Sequence, residues 1–66
     1  MNLTRRQLSE RFRVAAMRVR DNLRPWEVGY VRMPDGAVYE ISGSRKGARF
    51  VGTQIPVGMW RVEDVL

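Results

Sequence analysis

The side chains best able to do chemistry in this 66-residue chain are its cations, and they are gathered at one end. Arg5, Arg6, Arg11, Arg13, Arg18, Arg20 and Arg24 are opposed within the first 24 residues only by Glu10 and Asp21. Beyond them, Arg32, Arg45, Lys46, Arg49 and Arg61 balance Glu27, Asp35, Glu40, Glu63 and Asp64, so the whole net charge of +5 belongs to the first third. Among the 12 cations only Lys46 is not arginine, the side chain whose planar fork matches phosphates and guanine edges. A field this localised points to a polyanionic partner, against the plainer reading of a solvated helix face.

Other chemistry is scarce. Cys and His are both absent, which excludes disulfides, thiolate metal sites and Cys or His nucleophile relays. Glu10, Glu27, Glu40, Glu63 and Asp64 are scattered or adjacent, with no base or nucleophile beside them, and no Ser stands in a nucleophile elbow. A chain this short buries only about 60% of its unfolded surface, a marginal core without a deep cavity. No enzyme, metal or cofactor is expected. With 44% hydrophobic and 29% charged residues the chain is too apolar for disorder, so it should fold as one domain over residues 1–66. No apolar run approaches the ~18 residues of a membrane span, and MNLTRRQLSERF lacks the apolar core of a signal peptide; a cytoplasmic location is expected.

The elements that must position the cations divide the chain into a basic helical region, 1–24, and a β region, 25–66. From Thr4 to Arg24 there is no Gly or Pro, Thr4 and Gln7 have capping-box spacing, and Pro25 stops the helical stretch. Val28–Met33 and Ala37–Ser42 are β-rich runs around Pro34-Asp35-Gly36, a hairpin signature. Gly43-Ser44-Arg45-Lys46-Gly47 reads as a basic loop, and it lacks the spacing and terminal residues of a P-loop. A third run, Arg49–Ile55, and a fourth, Met59–Val62, follow; the residues after it read as strand end or a helical turn. Trp26, Tyr30, Tyr39, Phe50 and Trp60 have the makings of a stacking platform, but a small sheet needs its aromatics for packing.

On a single helical wheel Leu8, Phe12, Ala15, Ala16, Val19 and Leu23 form one core stripe, while Val14 and Met17 project among arginines on the other side. A break near residues 13–15 would return Val14 to the interior. The segment 7–23, with Leu8, Ser9, Phe12, Val14, Val19 and Leu23 at the characteristic slots, resembles the bacterial helix-turn-helix. Its order before a hairpin is similar to that of excisionase-like and MerR-like winged-helix domains. Two departures favour a continuous helix. Arg13 stands where the family uses Gly, at about 1–2 kcal/mol, and Ala15 replaces a capping Ser or Thr, at about 1 kcal/mol.

The resemblance implies an α+β fold of two short N-terminal helices, a β-hairpin and one or two further antiparallel strands. The alternative is one long N-terminal helix on a three- or four-stranded antiparallel sheet. The resemblance further implies a small regulator or excisionase, of phage or mobile-element type, that reads double-stranded DNA through a recognition helix at 16–24. Arg20 would meet guanine, Met17 a thymine methyl, and Arg18, Arg24, Arg5 and Arg6 the phosphates. Arg45 and Lys46, with Arg49 just beyond, would form the wing. A second copy is an expected partner, because so small a domain buries little interface and neither face of the first strand is cleanly polar. The rival reading is a protein-binding module, such as a phage-encoded enzyme inhibitor or virion connector. It would grip an acidic partner with Val14 and Met17 among the arginines, and it predicts an unbroken helix.

Overall fold

Six of the seven N-terminal arginines are carried by one unbroken helix. In the computed structural model, which describes residues 3–59 and 61–66, α1 runs without interruption from Arg5–Asp21. Its start is the capping box that the sequence announces: the Thr4 hydroxyl accepts from the Gln7 amide at 3.1 Å, and the Gln7 side chain accepts from the Thr4 amide at 2.9 Å. At the far end the Asn22 side-chain amide donates to the Arg18 carbonyl at 2.9 Å, satisfying one of the last-turn acceptors. The helix thus ends just before Leu23, Arg24 and Pro25, and Arg24–Glu27 forms a tight turn in which the Glu27 amide donates to the Arg24 carbonyl at 2.9 Å.

The expectation of two short helices is therefore corrected: no turn separates residues 13–15, and the alternative of one long helix on a sheet is the observed arrangement. The local energetics explain why. Arg13 and Ala15 both prefer the helical path, and keeping Val14 outside costs only the transfer of one partly exposed side chain, ~1–2 kcal/mol at most.

Four strands follow: β1 (Val28–Arg32), β2 (Val38–Ser42), β3 (Ala48–Gly52) and β4 (Val62–Asp64), in the order β3-β2-β1-β4. β1 and β2 form the hairpin read from Pro34-Asp35-Gly36, with Gly36 at φ 95°, a left-handed conformation that glycine adopts freely. β3 pairs antiparallel with β2, but β4 lies parallel to β1, so the sheet is mixed and not antiparallel as expected. The third strand begins one residue earlier and ends three residues sooner than its sequence run. The fourth is displaced to Val62–Asp64, and Trp60 lies outside the described residues.

α1 packs chiefly against β1, β4 and β2, and of β3 only Ala48 lines the cleft beside it. Ala15, Ala16 and Val19 meet Val31, Ile41 and Val65, with Phe12, Leu23 and Met33 at the margin. Two small side chains and Gly29 bring helix and strand close: a Cβ on Gly29 would stand 2.3 Å from Val19 Cγ1. Tyr30 and Val38 are buried on the opposite face of the sheet. The β3–β4 connection joins strands at opposite edges of the sheet.

Candidate binding cleft

Because the helix sits toward the β4 side, its two flanks look onto different surroundings. On the β4 flank the cations are tied internally. Arg18 pairs with Glu63 at 3.3 Å, and Arg11 donates to the Leu66 carbonyl. The opposite flank faces β2 and the start of β3 across a cleft lined by Arg5, Arg6, Arg13 and Arg20, with Glu10 the only acid among its walls. Phe12, Ala16 and Ile41 make its floor, Met17 its upper rim, and Gly47 and Ala48 its far wall.

The side chains of Arg5, Arg6 and Arg13 make no ion pair or hydrogen bond among the described residues. Arg20 leans across the cleft, half-buried, and donates weakly to the Gly47 carbonyl at 3.4 Å, while its Nε is buried without a hydrogen-bond partner. A buried guanidinium donor without an acceptor is costly unless a ligand supplies one. The aromatic floor extends outward as a ladder of edge-to-face rings: Phe12 to Tyr39 at 5.1 Å, then Tyr39 to Phe50 at 5.6 Å. Phe50 stands on the edge strand β3 and is 58% exposed.

The sequence-derived site residues divide accordingly. Arg5, Arg6, Met17 and Arg20 come together at the cleft, where Met17 is 54% exposed; Val14, 49% exposed, lies on the β4 flank beside Arg11 and Arg18. Arg18 belongs to the opposite flank. Arg24 lies beyond the helix end, its guanidinium 5.7 Å from the ring centre of exposed Trp26. In the β2–β3 loop Lys46 is exposed, while Arg45 turns to Glu40 at 3.6 Å. Arg49 is exposed on β3, opposite Glu40 in the strand register.

Arg13 is the cleft residue that the sequence reading left out. Its wheel position between Arg6 and Arg20 was readable, but only the offset of the helix makes that flank a site. The remaining acids are largely consumed elsewhere. Glu27 pairs with Arg61 at 3.0 Å, which also donates to the Asn22 carbonyl. Asp64 takes Arg32 in a two-point contact at 2.7 and 3.1 Å, and that hydrogen bonding and charge raise the Arg32 guanidinium above its ordinary value. With these pairs satisfied, the unneutralised positive charge collects beside the cleft and the β2–β3 loop.

Among the described residues no group of acids could hold a metal ion, and no helix is long and apolar enough to cross a membrane. Compared with family models, curated proteins and solved structures, the chain matches none.

Proposed function

We propose that this chain is a protein-binding module that takes an acidic, partly apolar segment of a partner in the cleft between α1 and β3. The observation that carries this reading is the composition of one flank: Arg5, Arg6, Arg13 and Arg20 surround an apolar floor continuous with the exposed ring of Phe50. A duplex backbone offers phosphates but nothing to fill an aromatic shelf. An acidic polypeptide offers both carboxylates and apolar side chains. Base readout by a separate recognition helix has no counterpart in an unbroken α1. Duplex DNA remains the competing ligand because Arg5, Arg6 and Lys46 are exposed and unpaired.

The test is a titration of a short blocked peptide of alternating Glu and Val, run beside duplex DNA at several salt concentrations. The peptide is expected to bind the tighter of the two. Arg13→Glu should weaken it about 5- to 10-fold with little change in melting temperature, whereas Arg18→Glu, on the other flank, should leave affinity within about twofold. Duplex binding that outcompetes the peptide, with a log-log salt slope of about −3.6 for four phosphate contacts, would overturn the proposal.

A further inference from the structure

The two edges of the sheet are finished differently. At one edge β4 is three residues long, α1 packs on it, and its side chains Glu63 and Asp64 are held by Arg18 and Arg32. The chain then turns Val65 into the core. The other edge, β3, is five residues long, and Ala48, Arg49, Phe50 and Val51 are all exposed. Among the described residues Arg49 forms no ion pair, and α1 makes its main contacts with the other three strands. Every second backbone amide and carbonyl along such a strand faces outward and lacks a partner other than water.

We infer that the edge of β3 receives the acidic partner segment as a fifth strand, so that backbone pairing and the arginine cleft bind the same stretch of polypeptide. The inference rests on the reading of the cleft as an acidic-protein site and states how that partner is held. An added strand alternates its side chains between the two faces of the sheet. On the helix side those side chains meet Phe50 and, toward Gly47 and Ala48, the arginines of the cleft. On the other side they meet Arg49. An extended segment that alternates apolar and acidic residues can set its apolar side chains against Phe50 and its acids against Arg49, and an acid beyond the paired stretch, toward Gly47, reaches the cleft arginines.

Charge selects this occupant over a second copy of the chain. Pairing β3 with its own copy would bring Lys46 and Arg49 of two molecules together, and like charges across a strand pair are destabilising. The same cations that discourage self-association therefore favour an acidic strand.

The experiment compares the blocked Glu/Val peptide with the same sequence N-methylated at every backbone amide, which keeps charge and side chains but removes the ladder donors. Amide hydrogen exchange across β3 and peptide affinity are both read. The unmodified peptide should slow exchange at alternate β3 amides by at least ~10-fold at saturation, and the methylated one should bind at least ~10-fold more weakly without protecting them. Equal binding of the two, with β3 exchange unchanged, overturns strand addition and leaves the acidic cleft standing. Failure of both to bind overturns the two readings together. A peptide-free dimer with β3 already protected, or tighter binding of an oligothymidylate than of the peptide, overturns the inference as well.

Discussion

Replacing Gly29 by alanine tests the seating of the helix, on which the whole cleft depends. The new methyl would lie 2.3 Å from Val19 Cγ1 and 3.1 Å from the Arg61 carbonyl, against roughly 3.5–4.0 Å for ordinary contact between carbon atoms. Relief requires α1 to lift by about an ångström or Val19 to leave its rotamer, a strain of about 1–3 kcal/mol. Removing a strand glycine returns about 0.5–1 kcal/mol through reduced chain entropy, so a net loss of about 1–2 kcal/mol is expected. Val19→Ala alone deletes two buried methyl groups, about 1.6 kcal/mol by transfer and about 2–3 kcal/mol with the cavity included. In the double variant the methyl introduced at position 29 occupies space that the Val19 side chain vacates, so the combined loss should fall short of the sum by at least about 1 kcal/mol. In a domain of this size 1 kcal/mol moves the melting temperature by about 4–8 °C, so urea and thermal denaturation resolve the coupling readily. Additivity within about 0.5 kcal/mol would mean that α1 does not rest on Gly29, and the reasoning about the uncovered β3 would fail with it.

Two further outcomes follow from the same geometry. Thr4→Ala removes one half of the capping box and should cost about 1 kcal/mol, with faster amide exchange confined to the first turn of α1; because Arg5 and Arg6 sit on that turn, peptide affinity should fall alongside. Burial, aided by the negative charge of Glu40, raises the Tyr30 phenol above its ordinary value of about 10. The protonated phenol is thus favoured in the folded state, and its contribution to stability is complete below pH ~10 and is lost as pH rises through the folded value. Tyrosinate absorbance should show one phenol titrating late, and Tyr30→Phe should flatten the loss of stability on the alkaline side.

Much of the local structure was legible in the residues. The Thr4/Gln7 box, the hairpin at Pro34-Asp35-Gly36 and the surface position of Met17 all follow from short-range chemistry, and all are present. The question of one helix or two set the phase of a single side chain, Val14, against the preferences of Arg13 and Ala15 for a helical path, and the backbone preferences prevailed. What the residues did not disclose is long-range. The parallel pairing of β4 with β1 joins positions about 30 residues apart through a connection with no signature of its own. Nor could composition show that Glu63 neutralises Arg18 while Arg13 stays unpaired, because that sorting depends on which side of the helix the sheet extends. The first-third excess of charge was readable; its restriction to one flank was not.

The parallel seating of β4 beside β1 has a consequence for how the molecule comes into being. The helix and the three-stranded meander assemble from neighbours in the chain, but the outer border of β1 stays open, and the core lacks Val65, until residues 62–65 arrive from the far side of the sheet. That pairing closes the longest loop in the sheet and carries its largest chain-entropy cost, so it is expected to form last. While a nascent or partly unfolded copy waits for it, two raw sheet margins are on offer instead of one, which makes the final dozen positions guardians of solubility as much as of stability.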